Sequence, residues 1–154
     1  MKSTEKITKN IFLTDDDDDD CLLFSEALSE IFPKHEARLI ITNDGVKLMQ
    51  ALDESVPPSP QVIFLDLNMP RKNGFECLAE IRKDPKLKDI PVVVFSTTSN
   101  NDIVNRTYQQ GANFYICKPQ SYTLLKRTIE FVLSFDFGKL SQQPLREKFV
   151  INIA

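Results

Sequence analysis

The feature that most constrains this chain is a set of short apolar runs that each end on a polar residue. Val62-Ile63-Phe64-Leu65 runs into Asp66, and Pro91-Val92-Val93-Val94-Phe95 runs into Ser96. Asn10 to Thr14 stops at six aspartates, Asp15 to Asp20, and Asn113 to Cys117 stops at Lys118-Pro119. Runs of this length without polar alternation are expected of strands covered on both faces. Ala37 to Thr42 reads as a further strand. Between the strands, apolar residues recur at helical spacing. These are Leu22, Leu23, Ala27, Leu28 and Ile31 before Pro33; Val46, Leu48, Met49 and Leu52 after the Asn43-Asp44-Gly45 turn; and Phe75, Leu78 and Ile81 after the Met69 to Gly74 loop. Ile103, Val104 and Tyr108 precede Gly111, and Leu124, Leu125, Ile129 and Val132 form the last set. Pro57-Pro58-Ser59-Pro60 breaks the chain. Five strand–helix units in this order predict an α/β fold, a parallel sheet with helices on both faces.

A chain of 154 residues, 42% hydrophobic, is long enough for one core and too short for two. The net charge of -3, with no basic patch, argues against nucleic-acid binding by charge. The apolar runs are strand-sized, well short of a membrane span. Met1 to Glu5 lacks the apolar core of a signal peptide, so a cytoplasmic protein is expected. Cys21, Cys77 and Cys117 are odd in number and far apart, with no CxxC spacing, and read as small buried thiols in a reducing compartment.

In parallel α/β sheets, chemistry is done at the carboxyl ends of the strands. That rule singles out the Asp run, Asp66, Ser96 and Lys118. Aspartates at a helix start cap it and complement its dipole, which accounts for Asp17 to Asp20. Asp15 and Asp16 come straight off a strand, so their carboxylates can face the crevice. Oxygen donors of this kind suit magnesium. Asp66 follows four apolar residues, where a charge is costly unless paired or metal-bound. It reads either as a loop cap or as a nucleophile toward phosphorus. Attack would bring two anions together and would need a cation and an ammonium beside it, which Asp15, Asp16 and Lys118 would supply. Lys118 alone reads equally as a snorkelling surface lysine.

Taken together these residues resemble the response-regulator receiver family. The resemblance runs from about Asn10 to Leu133. It is carried by the strand into Asp15-Asp16, by Phe64-Leu65-Asp66-Leu67-Asn68-Met69-Pro70 with Gly74, by Val93-Val94-Phe95-Ser96-Thr97, by Gly111-Ala112 with Tyr115, and by Lys118-Pro119. It implies a flavodoxin-like (βα)5 doubly wound fold with strand order 2-1-3-4-5. By the same resemblance Asp66 is the phosphoacceptor. Asp16, Asp66 and the backbone carbonyl of Asn68 are magnesium ligands, with Asp15 acting through a water. Ser96 and Lys118 hold the phosphoryl oxygens, Ser96 and Tyr115 form the switch, and the Lys118–Pro119 peptide is cis. The loop after Asp66 and the segment Asp84 to Pro91 resemble regulators paired with bacterial phytochromes and other histidine kinases. Thr97 is bulkier than the alanine often found there, which would shield the phosphoryl group from water.

On this reading a receiver domain spans 8–135 and a tail 136–154. The chain is a stand-alone, non-enzymatic signalling protein phosphorylated by a histidine kinase. Its output is contact with a relay or output protein, or a second copy, through helix four (about Asn100 to Gln110), strand five and helix five. Phe131 and Phe135 are candidates for exposure there, and the tail segment Phe149-Val150-Ile151 would pack on the domain or on a partner. Two other readings stand beside it. A phosphohydrolase with an aspartate nucleophile would carry an acid two residues on, where Asn68 stands. A receiver-like scaffold would keep the fold without the chemistry.

Overall fold

In a computed structural model, residues 9–33, 35–136 and 143–153 are described. The expected first residue of the domain, 8, and tail residues 137–142 and 154 lie outside them. Five strands, β1 (Lys9–Thr14), β2 (Ala37–Thr42), β3 (Val62–Leu65), β4 (Val92–Ser96) and β5 (Phe114–Cys117), alternate with five helices. The helices are α1 (Asp18–Ile31), α2 (Gly45–Ser55), α3 (Gly74–Lys83), α4 (Asn101–Gln109) and α5 (Tyr122–Leu133). The sheet is parallel throughout, in the order β2-β1-β3-β4-β5. The predicted fold class and strand order both hold.

The two-residue period of a strand divides the core between the faces. Ile11, Leu13, Val62, Phe64, Val93 and Phe95 point toward α1 and α5, where Phe24, Phe64 and Phe95 meet edge to face. Phe12, Ile63, Leu65, Val92 and Val94 point the other way, against Leu48, Leu52, Leu78, Ile81 and Val104 of α2, α3 and α4. Because β3 and β4 run parallel, their carboxyl ends lie at the same edge of the sheet, where Asp66 and Ser96 stand.

The structure departs from the sequence pattern in four places. Leu22 and Leu23 are 58% and 42% exposed; α1 buries Cys21, Phe24, Ala27 and Leu28 instead. Four consecutive apolar residues, 21–24, cannot set the phase of a helix, and the spacing 21, 24, 27, 28 is the one that faces the sheet. Cys117, at the end of β5, is exposed, while Cys21 and Cys77 are buried. Among the described residues the cis bonds are Val56–Pro57 and Pro57–Pro58, so Lys118–Pro119 is trans. The trans form is the lower in energy for an X-Pro bond, by about 0.5–1 kcal/mol. Phe131 on α5 is 42% exposed as expected, but Phe135, two residues past the end of that helix, is partly buried and stacks on Phe114.

The tail packs on the domain. Tyr115 N–H donates to the Phe149 carbonyl (3.0 Å) and Ile151 N–H to the Tyr115 carbonyl (2.9 Å), so the segment lies along the free edge of β5. Phe149 is wholly buried against Tyr108, with ring centroids 5.0 Å apart. A short 3-10 turn, Arg146–Lys148, leads into it. Gln143 donates to the carbonyls of Tyr108 and Ala112, Tyr108 O–H to Pro144, and Arg146 to Asn105. An exposed sheet edge is thereby covered.

Candidate functional site

Asp15 follows the last residue of β1 and is fully buried, and Asp66 follows β3 and is 6% exposed. Their carboxylates and that of the exposed Asp16 each offer an oxygen within 4.8 Å of the others. The polar loops around them are held from the backbone. Asp15 Oδ1 accepts the Asp17 N–H (3.0 Å), and Asp66 Oδ1 accepts the Leu67 N–H (2.9 Å). Gly74 starts α3 so close that a Cβ there would stand 2.3 Å from the Asp66 carbonyl oxygen. This glycine lets the helix press against the strand-end loop. Asn73 caps the helix reciprocally with Glu76.

Lys118 enters from the end of β5, with its N–H on the Ser96 carbonyl (2.8 Å). Its ammonium lies 2.7 Å from Asp15 Oδ2 and 2.9 Å from Asp20 Oδ2, against 3.9 Å from Asp66 Oδ2. The resting ammonium is thus shared between Asp15 and Asp20, and its contact with Asp66 is the longest of the three. Sequence patterning groups Asp20 with the helix-capping aspartates, but its side chain does something else. Asp17 caps α1 by accepting the Asp20 N–H (3.0 Å), while the Asp20 side chain turns to Lys118. Six identical residues in a row carry no signal of which one points inward.

The electrostatics follow from crowding negative charge in a buried place. Burial, and then the charge of Asp15, push the Asp66 carboxyl from 3.8 up to about 7. Burial raises Asp15 as well, against the pull of Lys118. Burial alone would lower the Lys118 ammonium. Asp15, Asp20 and Asp66 outweigh it and hold that ammonium charged beyond its ordinary range. Asp15 Oδ2 is buried and accepts no well-angled hydrogen bond among the described residues. Three carboxylates with an oxygen each within 4.8 Å of the others, and one ammonium to offset them, are a donor set that fits a hard divalent cation.

Ser96 ends β4, fully buried, and its Oγ accepts the Thr98 N–H (3.3 Å). Tyr115 is 1% exposed. Its O–H donates to the Thr98 carbonyl (2.7 Å), and its ring lies 6.3 Å from that of Phe149. The two expected switch residues therefore meet the same short segment after β4. Asn68 is exposed, two residues beyond Asp66. Of the expected site residues, the structure brings together Asp15, Asp16, Asp66 and Lys118, and adds Asp20.

Comparison with known proteins identifies the family. The family model of the response regulator receiver domain matches residues 11–130. Response regulator Rcp1 of Synechocystis sp. is 39% identical over 139 residues, which are 88% of this chain and 93% of Rcp1. The crystal structure of the phosphorylated cyanobacterial phytochrome response regulator RcpA superposes with a TM-score of 0.77 at 34% identity, covering 90% of this chain and 99% of RcpA. The Mn(2+)-bound form of Rcp1 does so with a TM-score of 0.72 at 35% identity, covering 88% and 99%. With its acidic cluster and lysine gathered at the carboxyl edge of a 2-1-3-4-5 sheet, this chain belongs to the response regulator receiver family, the signalling proteins of two-component systems.

Proposed function

We propose that Asp66 accepts a phosphoryl group from a histidine kinase. The observation that carries this is the convergence of Asp15, Asp16, Asp66 and Lys118 at one strand-end crevice. An oxygen of Asp66 attacks phosphorus, the bond from phosphorus to the donor imidazole nitrogen breaks, and that nitrogen keeps the electron pair. Magnesium is the cation proposed for the crevice, held by Asp16, Asp66 and the Asn68 carbonyl, with Asp15 acting through a water. When bound, the cation supplies positive charge that keeps Asp66 ionised and offsets repulsion between the carboxylate and the phosphoryl oxygens. That Rcp1 has a Mn(2+)-bound form supports a divalent ion as a ligand of this chain. Lys118 and the Ser96 hydroxyl hold phosphoryl oxygens. The likeness to RcpA, a phytochrome response regulator, supports a photoreceptor kinase as donor. Exposed Leu22 and Leu23, on α1 beside the crevice, offer that kinase an apolar foothold.

Phosphorylation adds roughly two negative charges at neutral pH. Ser96 follows the phosphoryl group, the Thr97-Thr98 segment moves with it, and Tyr115, bonded to Thr98, responds. The output is protein contact through α4, β5 and α5, now with the tail along β5 as part of that face. An apolar groove of about 410 Å³ between α5 and the tail, lined by Phe114, Phe131 and Val150, supports a relay protein or a second copy as partner. We assign 8–135 to the receiver unit and 136–154 to an appended segment, acting in the cytoplasm. Among the described residues no helix is long and apolar enough to cross a membrane.

The test is phosphotransfer from candidate kinases, read by intact mass with and without magnesium. Wild type gains one phosphoryl group only with the cation, and Asp66→Asn gains none. Label on Asp66→Asn at the wild-type level would remove the proposal.

A further inference from the structure

Four carboxylates meet in the crevice with one ammonium, which lies within 4.0 Å of Asp15, Asp20 and Asp66. Three of them, Asp15, Asp16 and Asp66, form the group that can share a cation. Asp20 stands outside that group, at the third position of α1, and its Oδ2 holds Lys118 Nζ at 2.9 Å. A cation drawn in by Asp15, Asp16 and Asp66 leaves Asp20 as the carboxylate that competes with an incoming phosphoryl group for Lys118. The lysine has three donors and is nearly buried, so its position is set by whichever anions hold it. In the resting arrangement they hold it on the α1 side, 3.9 Å from Asp66.

We infer that Asp20 is a positioning residue for Lys118, one that parks the ammonium away from Asp66 and slows phosphoryl acceptance until the phosphoryl oxygens outbid it. This rests on the reading of Asp66 as phosphoacceptor. Chemically, Asp20 takes no part in bond making. It sets how far the lysine must travel and adds one negative charge beside an arriving anion. Removing that charge while keeping the shape speeds acceptance from any donor, small molecule or protein, because the effect lies in the acceptor.

The experiment measures the second-order rate of phosphorylation by phosphoramidate with saturating magnesium, followed by intact mass, on the full chain. Asp20→Asn is expected to react about fivefold faster than wild type, the order of a nearby charge removed from a partly screened site, and to bind beryllofluoride correspondingly tighter. Asp20→Glu, which restores the charge, returns to within about twofold of wild type on the same scale. Asp19→Asn is the control. It removes an equal charge from the same helix turn, but at an exposed position. Its rate stays at the wild-type value. A purely structural role for Asp20 would lower the rate and the melting temperature together. An Asp20→Asn rate equal to or below wild type overturns the inference, as does an Asp19→Asn rate that rises as much. Wild type that takes no label at all overturns instead the Asp66 reading beneath it, so the two failures are distinct.

Discussion

At the scale of single residues, the site is built from charge held where charge is expensive. Asp66, raised from 3.8 to about 7 by burial and then by Asp15, retains a proton in the cation-free fold that the unfolded chain has already released. The stability this confers is fully present below about pH 4 and is lost as pH rises through about 7. Asp15 moves in the same direction. In chelator, Asp66→Asn is therefore expected to melt higher than wild type at about pH 8, with the gap closing toward about pH 5. The gain is at most a few kcal/mol, read from melting curves across the range. A gap independent of pH would contradict this origin. At Thr97 the expectation is kinetic. Thr97→Ala opens the approach of water and shortens the phosphoryl lifetime several-fold, read as the rate of mass loss after the donor is removed. Asp15, Asp66 and Lys118 are legible in the sequence because each abuts a strand-sized apolar run, and Asp16 because it follows directly on Asp15, so their places in a parallel sheet follow from the fold class. Asp20 is not legible. The five residues before it are identical to it, and its partner lies 98 positions away.

At the scale of elements, the strands and helices follow from patterning with boundaries displaced by a residue or two. β4 begins at Val92 because Pro91 has no N–H to give the ladder, and β5 at Phe114 because the Asn113 side chain bonds Arg82 and the Val92 N–H. Gly111, at φ 97, ends α4 as its position predicts, in a backbone region that suits glycine. Patterning cannot supply the side of β5 on which the tail lies, because that pairing joins Tyr115 to Val150 across the whole of α5. Residues of the tail differ sharply in what they contribute to packing. Phe149→Ala, in a site with no exposure, is expected to cost about 3–5 kcal/mol and to loosen Tyr115, seen as faster exchange of its amide. Leu145→Ala, 67% exposed in the same segment, is expected to cost within about 0.5 kcal/mol. Equal losses for the two would mean that the segment does not pack as described.

At the scale of the whole molecule, the doubly wound sheet separates stability from signalling. Apolar strands β3 and β4 fill the interior, while their carboxyl ends deliver Asp66 and Ser96 to the same edge of the sheet. Tyr115 then links that edge to the face formed by α4, β5 and the tail through its bond to Thr98 and its backbone pairing with Phe149 and Ile151. On the proposed function, a phosphoryl group would act by biasing a two-state equilibrium in that link. The most direct measurement is to locate the phosphoryl group itself. Protein labelled by a phosphodonor in magnesium is reduced with borohydride, which converts an aspartyl phosphate to homoserine, and the modified position is read by peptide mass spectrometry. Homoserine is predicted at position 66 and at no other aspartate. Homoserine within the run 15–20, or label that survives without any homoserine at 66, would contradict Asp66 as the acceptor.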